Sequence, residues 1–273
     1  MKILKCLLLA SLCASLFACT YPKLGEVHSR FEESTNGSLT IQGNIDPSGT
    51  NSFSFSVMGD IHMGSPFGHI LDEAVTDSVA AGDSFAFLIG DITDNGRAKD
   101  FDTVISSLND RGLAYRTALG NHDIYFGGWE NYKKKFGAAT YSFDVDNVHF
   151  SVLDSANGII GQEQFNWLKS DLESTSQTVK IIISHYAPYT GQFQSPWSLS
   201  SNEESAILKN IAYENKVNMV ISGHYHGLAE KTIGGVKYIT TGSTNKIPNI
   251  GDERHYLQVT INNTTITTKT IEL

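Results

Sequence analysis

Asn121, His122 and Asp123 follow one another directly at the end of an apolar run, and their types suggest chemistry rather than packing. Burying three adjacent polar side chains without partners would cost several kcal/mol. An amide oxygen can bind a metal ion, an imidazole can transfer a proton, and a carboxylate can orient the imidazole. We therefore treat this segment as the centre of a candidate catalytic site.

Four other apolar, strand-like runs end in residues of the same kind. These ends read Asp60-Ile61-His62, Gly90-Asp91-Ile92-Thr93-Asp94, Ser184-His185 and Gly223-His224-Tyr225-His226. Ligands of open α/β sheets gather beyond the carboxyl ends of the strands, so these side chains are expected to converge. Carboxylates, an amide oxygen and imidazoles, with no thiolate, suit Mn²⁺, Fe or Zn²⁺. One tetrahedral ion cannot use about seven ligands, so two metal ions that share a carboxylate are expected, as in phosphate-ester hydrolysis.

The candidate runs alternate with segments of helical periodicity. Predicted strands cover 53–58, 85–89, 114–119, 179–183, 217–221 and 236–240. Predicted helices cover 70–81, 101–108, 161–172 and 203–213. A β-hairpin is predicted over 140–154, and further strand over 256–271 with a turn at 262–263. This order predicts an α/β protein with a parallel or mixed sheet and crossover helices.

The five motifs occur in the order found in calcineurin-like metallophosphoesterases, and the chain resembles that family from residue 53 to about residue 244. The matching positions are Asp60-x-His62, Gly90-Asp91-x-x-Asp94, Gly120-Asn121-His122-Asp123, His185 and Gly223-His224-x-His226. Each motif alone is weak, whereas all five in order are specific. The resemblance implies an α/β (α+β mixed) fold in which two mixed β-sheets pack as a sandwich flanked by helices.

The resemblance also implies a role for each matching residue. One metal ion would be held by Asp60, His62 and His226. The other would be held by Asn121, His185 and His224, with Asp91 bridging the two. His122 would be the proton donor and Asp123 its orienting partner, while Asp94 would support its loop without binding metal.

The implied reaction is hydrolysis of a phosphomonoester or a phosphodiester. A hydroxide between two divalent metal ions (Mn, Fe or Zn) would attack, because the ions lower the pKa of water. His122 would then protonate the leaving group. The sequence contains no Gly-x-Ser-x-Gly motif and no P-loop, so a serine intermediate and nucleotide-driven work are not expected.

Several positions differ from branches of the resembled family. Asn95, Leu119 and Asp123 stand where serine/threonine protein phosphatases typically carry Arg, Arg and Glu. Asp94 stands where purple acid phosphatases carry a tyrosine ligand. In these positions the chain looks like the small stand-alone phosphoesterases, which include class III cyclic nucleotide phosphodiesterases.

Two aromatic loops adjoin the motifs, at 125–129 and 186–197. Their aromatic residues include Tyr125, Trp129, Tyr189 and Phe193. They could stack on a base or an aryl leaving group, or they could pack only on their own scaffold. The sequence leaves both possibilities open, and with them the choice between a monoester and a diester.

The N-terminal region is typical of an exported protein. Residues 1–18 have a basic start and an apolar stretch too short to span a bilayer, which predicts a signal peptide. Leu16-Phe17-Ala18-Cys19 resembles a bacterial lipobox, so lipidation of Cys19 and anchoring to the cell membrane or outer membrane are expected. Cleavage and release is the alternative. Residues 19–52 would then be the lipidated Cys and a tether, with one strand near 39–41, and 53–273 the phosphoesterase domain.

The charge and the remaining residues restrict other functions. The formal net charge is −9, and loss of Lys2 and Lys5 with the leader makes it −11. This disfavours a nucleic-acid surface and with it a nuclease. A non-enzymatic, metal- or ligand-binding envelope lipoprotein is a further alternative, disfavoured by the intact His122 and Asp123. Residues that match no motif are left as surface or core residues: His28, His69, His149 and His255. The expected partners are a small phosphate ester and a membrane, and the sequence does not indicate the oligomeric state.

Overall fold

Two β-sheets form the centre of the protein in a computed structural model that describes residues 21–37, 45, 49–189, 197–246 and 254–273. The predicted leader, Cys19, the predicted strand near 39–41 and Phe193 lie outside the described residues. No helix in the described ranges is long and apolar enough to cross a membrane.

The first sheet has the strand order β11-β10-β1-β2-β3. Its strands are β1 (Ser52–Met58), β2 (Phe85–Ile89), β3 (Tyr115–Ala118), β10 (His255–Asn262) and β11 (Thr265–Glu272). Strands β1, β2 and β3 are parallel, whereas β10 pairs antiparallel with β1 and β11 antiparallel with β10. Every residue of β2 is buried, as its continuous apolar run predicts.

The second sheet has the order β4-β5-β6-β7-β9-β8. Its strands are β4 (Tyr141–Val145), β5 (Val148–Leu153), β6 (Val179–Ser184), β7 (Met219–Ser222), β8 (Ala229–Ile233) and β9 (Val236–Thr240). Strands β5, β6, β7 and β9 are parallel, and β4 and β8 pair antiparallel at the two edges. Strand β8 was not predicted, because its side chains are largely exposed and show no apolar alternation.

The two sheets pack face to face, and alternation along each strand places its side chains in two different layers. Phe55, Phe87 and Phe150 lie between the sheets, with ring centroids of the Phe55–Phe150 pair 5.5 Å apart. Leu88 faces the helices of the first sheet, and Ile182 those of the second. The predicted sandwich of two mixed sheets flanked by helices is confirmed.

The described residues form six α-helices. These are α1 (Tyr21–Thr35), α2 (Leu71–Ala81), α3 (Ala98–Asn109), α4 (Gly128–Lys135), α5 (Gln162–Ser174) and α6 (Asn202–Glu214). Helices α2, α3 and α4 bury their apolar residues against the first sheet, and α5 and α6 bury theirs against the second. A 3₁₀ helix over His122–Gly127 leads into α4, and neither was predicted.

The prediction of a tether over 19–52 is wrong for residues 21–35, which form α1 and pack on the domain. Val27 is 2% exposed, and one turn further Arg30 is 4% exposed. The Nε of Arg30 lies 2.6 Å from Oδ2 of Asp154, which directly follows β5. The polar composition of residues 20–52 as a whole obscured this one docking face.

Candidate active site

The predicted metal ligands lie together beyond the C-terminal ends of five strands. They are Asp60 and His62 after β1, Asp91 after β2, Asn121 after β3, His185 after β6, and His224 and His226 after β7. The parallel directions of β1, β2 and β3 and of β6 and β7 bring these ends to one edge of the sandwich. The convergence expected from the sequence is therefore present.

One group of potential ligand atoms comes from Asp60, His62, Asp91 and His226, all within 4.8 Å of one another. His226 Nε2 lies 3.1 Å from Asp60 Oδ1 and 3.4 Å from His62 Nε2. The other oxygen of Asp60 accepts a hydrogen bond of 3.0 Å from the backbone N–H of His224. Asp60 thus has one oxygen fixed by the backbone and one directed at the imidazoles.

A second group comes from Asp91, His185 and His224. His185 Nε2 lies 3.4 Å from Asp91 Oδ1 and 3.2 Å from the amide oxygen of Asn121. His185 Nδ1 lies 2.9 Å from the carbonyl oxygen of Ile89, which fixes the ring with Nε2 facing the site. Because Asp91 belongs to both groups, it is the residue able to bridge two ions.

Asp94 contacts two of the imidazoles, a role that exceeds the predicted support of its loop. Its Oδ1 lies 3.4 Å from His62 Nδ1 and 3.9 Å from His122 Nδ1. Its backbone carbonyl oxygen is 2.9 Å from His122 Nδ1. A carbonyl can only accept, so Nδ1 of His122 carries a proton and donates it to this bond.

Asp123 does not orient His122, and that prediction is wrong. Its carboxylate instead accepts backbone N–H bonds from Gly120, Ile92 and Thr93 at 3.0, 3.2 and 2.8 Å, and a hydroxyl bond from Thr93. Burial and the nearby Asp91 raise the pKa of Asp123 to about 7, against the effect of these donors. Asp123 therefore joins the loop after β2 to the loop after β3.

The donor set fits bound cations. Asp60 and Asp91 are buried carboxylates, and Nδ1 of His224 is buried without a hydrogen-bond partner among the described residues. A buried nitrogen of this kind is costly unless a ligand satisfies it. A side chain at Gly120 would overlap Asp91, and one at Gly90 would overlap the ring of His185. These two glycines allow the loops to approach closely enough to form the cluster.

The backbone of the site is strained. Asp60, His62, Asp91, His224 and His226 have φ values of 52°, 49°, 48°, 64° and 57°. The left-handed region is unfavourable for residues with a Cβ and costs on the order of 1–3 kcal/mol at each position. Such strain persists where the surrounding structure imposes it, and it is concentrated at functional sites.

The electrostatics of the ligand residues favour a positive charge between them. Burial opposes ionisation of Asp91, but His185 and His62 hold the pKa of its carboxyl well below the usual range. Burial likewise opposes protonation of His185, but Asp91 raises the pKa of its ring to about 9. Burial and His185 lower the pKa of His224 to about 4. The field of the buried carboxylates therefore attracts cations.

Aromatic rings border the imidazoles. The Tyr186 ring lies 3.8 Å from the His224 ring, and the Tyr125 ring lies 4.8 Å from the His122 ring. Tyr125 also accepts a hydrogen bond of 3.2 Å from the Asn121 amide through its hydroxyl. Phe126, in contrast, is 90% exposed. Tyr125 and Tyr186 thus pack on the site, and Phe126 presents an unburied ring beside it.

Comparison with known proteins agrees with this geometry. A family model described as calcineurin-like phosphoesterase matches residues 53–228, more than half of the chain. A probable cyclic nucleotide phosphodiesterase of Fibrobacter succinogenes is 24% identical over 177 residues, 60% of this chain and 66% of that protein. A 3′,5′-cyclic-nucleotide phosphodiesterase of Nostoc sp. is 25% identical over 167 residues, 58% of this chain and 61% of that protein. The chain therefore spans less than two thirds of either relative.

Solved structures share the fold. A dimetal phosphatase from Danio rerio superposes with a TM-score of 0.68 at 16% identity, covering 83% of this chain and 97% of that one. A purple acid phosphatase from yellow lupin gives 0.68 at 15% identity, covering 83% of this chain and 52% of that one. Both arrangements have the same two sheets with flanking helices.

Proposed function

Because the chain belongs to the calcineurin-like phosphoesterase family, we propose that it hydrolyses a small phosphomonoester or phosphodiester at a two-metal site. The observation that carries the proposal is the position of Asp91, whose two oxygens face ligands of both groups. A carboxylate shared by two groups of ligands fits a dinuclear centre.

The first ion would be held by Asp60, His62, Asp91 and His226, and the second by Asp91, Asn121, His185 and His224. Oxygen and imidazole donors suit Mn, Fe or Zn. When bound, such ions supply Lewis-acid stabilisation of the phosphate oxygens and lower the pKa of water. The strained, glycine-lined loops hold the donors in place before any ion binds, so little reorganisation is required.

His122 is the proposed proton donor to the leaving group. Its Nδ1–H is committed to the Asp94 carbonyl, and no described residue forms a hydrogen bond with its Nε2. A doubly protonated ring can therefore give up its Nε2 proton without losing its orientation. The ring packs edge-on to His62 with 4.4 Å between centroids. It therefore lies beside the seven proposed metal ligands, which we call the ligand cluster.

A cyclic nucleotide is the more specific candidate substrate. Two relatives are named as cyclic nucleotide phosphodiesterases, and the exposed Phe126 ring would suit stacking on a base. Export and lipid anchoring through Cys19 remain part of the proposal and place such a reaction at the bacterial envelope.

The direct test is hydrolysis of p-nitrophenyl phosphate and bis-p-nitrophenyl phosphate by a variant lacking residues 1–19. The protein is stripped of metal and refilled with Mn²⁺, Zn²⁺ or Fe²⁺, and a cyclic nucleotide is assayed in parallel. Metal-dependent turnover supports the proposal, and the preferred ester separates a phosphatase from a phosphodiesterase. Binding of two ions without turnover of any ester would favour the alternative of a non-enzymatic metal-binding protein.

The proton donor is tested by His122→Ala. We expect kcat for the ester to fall about 10²–10⁴-fold, because a positioned general acid contributes that much. Metal content should stay at the wild-type value, since His122 is not a proposed ligand. An unchanged kcat would show that another group protonates the leaving group.

A further inference from the structure

Helix α1 lies outside the region matched by the family model and contacts two segments that border the candidate active site. We call residues 121–135 the donor segment, since it contains His122, the 3₁₀ helix and α4. We call residues 154–158 the support loop, since it follows β5 and touches the segment after β6. The two segments are far apart in sequence, and α1 reaches both.

Glu33 connects α1 to the donor segment. Its Oε2 accepts hydrogen bonds from the Trp129 indole N–H at 3.2 Å and from the Lys133 ammonium at 2.8 Å. Trp129 is the second residue of α4, which begins directly after the 3₁₀ helix that starts at His122. The six-residue 3₁₀ helix therefore connects the proposed proton donor directly to the start of α4.

The donor segment is also tied to the loop after β2. The Asn131 side chain donates a hydrogen bond of 2.8 Å to the carbonyl of Gly96. That glycine lies two residues beyond Asp94, whose carbonyl holds the His122 ring. A shift of α4 would thus displace both the residue that carries the imidazole and the residue that orients it.

Arg30 connects α1 to the support loop. Its Nε and Nη2 lie 2.6 and 3.4 Å from the two oxygens of Asp154, and Nη2 also donates to Asn157. Arg30 and Asp154 are 4% and 0% exposed. A bidentate guanidinium–carboxylate pair of this kind fixes direction as well as distance.

The support loop continues to the metal ligands. The hydroxyl of Ser155 accepts a hydrogen bond of 2.9 Å from the backbone N–H of Tyr186. Tyr186 follows His185 directly, and its ring lies 3.8 Å from the ring of His224. Ser155 and Tyr186 are therefore the two residues that link the Arg30–Asp154 contact to the imidazoles of His185 and His224.

We propose that α1 is a positioning element of the active site, with Glu33 fixing the donor segment and Arg30 fixing the support loop. The proposal rests on the proposed phosphoesterase activity. Displacement of a catalytic group by about 1 Å can cost 10²-fold in rate, so contacts outside the catalytic domain proper can influence turnover. Arg30 and Glu33 are positioning residues and do not contact the ligand cluster.

The first experiment compares Glu33→Ala with Glu32→Ala in the full chain. Glu32 lies on the same helix and is mostly exposed, and within the described residues its carboxylate is paired only with His28 of that helix, so it is a matched control. Hydrogen–deuterium exchange of peptides from 121–135 should become about 5-fold faster in the Glu33 variant, because a hydrogen bond is worth about 1 kcal/mol. Peptides from α6 should not change, and Glu32→Ala should behave as the wild type.

The same variants are assayed for ester hydrolysis at wild-type metal content. Glu33→Ala should lower kcat by about 10-fold with little change in KM, because the proton donor is displaced while six of the seven proposed ligands lie outside the donor segment. Glu33→Gln keeps an oxygen acceptor for Trp129 and should recover most of the rate. A merely structural role of α1 would lower the melting temperature of all variants without this split between kcat and KM.

Arg30→Lys tests the other contact and avoids leaving Asp154 buried without a cation. Lysine cannot form the bidentate pair, so exchange should rise in 154–158 and in the peptide after β6. Exchange changes confined to residues 21–35, or looser loops with unchanged kcat, would overturn the proposal. If the wild type hydrolyses no ester, the proposed function fails, and exchange alone then decides whether α1 holds the two segments.

Discussion

Two clusters in this protein combine histidine with aspartate, but the polar atoms of their side chains are hydrogen-bonded to different extents. In the cluster around His149, the two ring nitrogens lie 2.6 Å from Asp144 and 2.9 Å from Asp171. The oxygens of Asp171 also accept hydroxyl hydrogen bonds from Ser142 and Ser151 at 2.6 and 2.7 Å. Every polar atom of this imidazole is satisfied within the protein.

The ligand cluster at the strand ends is built differently. Nδ1 of His224 is buried without a partner in the described part of the chain, whereas both nitrogens of His149 have one. Five proposed ligand residues have positive φ, whereas His149 and the four residues around it do not. Residue types alone therefore do not separate a metal site from a structural polar cluster. The two clusters of this protein are distinguished instead by the buried His224 nitrogen that lacks a hydrogen-bond partner among the described residues and by the strained backbone.

The largest difference between the clusters should appear on loss of a carboxylate charge. Asp91→Asn should lower kcat/KM by about 10³-fold, because the proposed bridging ligand would support both ions and each ion would provide several kcal/mol of stabilisation. Bound metal, measured by atomic emission, should fall below two ions per chain. Asp171→Asn is the matched control, and it should lower the melting temperature while metal content and kcat are retained. Equal metal content in the two variants would contradict the proposal that only the ligand cluster binds metal.

A smaller effect on metal binding is expected from a change at Asp123, which supports the loops of the ligand cluster without being a proposed ligand. Asp123→Asn removes acceptor capacity from three buried backbone N–H groups, so unfolding should be easier by about 1–3 kcal/mol. Metal affinity should fall about 10–100-fold, as for other groups that hold ligands in place. Titration of the apoprotein with Mn²⁺ measures this. Unchanged metal affinity with an altered pH profile of kcat would instead restore Asp123 as the partner of His122.

The smallest expected effect is a pH dependence of the stability that the His149 cluster contributes. Burial lowers the pKa of His149, but the stronger combined effect of Asp171 and Asp144 raises it. The stabilisation is therefore complete below the unfolded-state pKa of about 6.5 and is lost as the pH rises through the folded-state pKa. The difference in melting temperature between wild type and His149→Gln should shrink as the pH rises above about 6.5. A difference independent of pH would mean that His149 is neutral in the folded protein.

The sequence predicted the convergence of the candidate ligand residues, because each follows an apolar strand that packing must bury. Once parallel strands were inferred, Asp91 after β2 and His224 after β7 were both expected at the carboxyl-terminal edge of the sheets. The role of Asp123 was wrong because adjacency to His122 does not determine where a side chain points. In the structure the 3₁₀ turn directs the two side chains apart, one to Asp94 and the other to backbone N–H groups.

Helix α1 was missed because its stability comes from tertiary contacts. Its apolar positions Leu24, Val27 and Phe31 have helical spacing, and this weak signal was present in the sequence. It was outweighed by the polar composition around it. The Arg30–Asp154 pair, which joins residues 124 positions apart, could not be recognised without the fold.

The pairing of β1 with β10 has a consequence for the order in which the chain folds. Ser52 of β1 is opposite Asn262 of β10, so the strand that leads to Asp60 obtains this neighbour only from the last part of the described chain. All seven proposed ligands have been synthesised once residue 226 has been added, well before β10. A nascent or truncated chain ending there would expose the unpaired edge of β1, which is a template for intermolecular association. Premature termination should therefore produce aggregates rather than a smaller active enzyme, even though every catalytic residue is present.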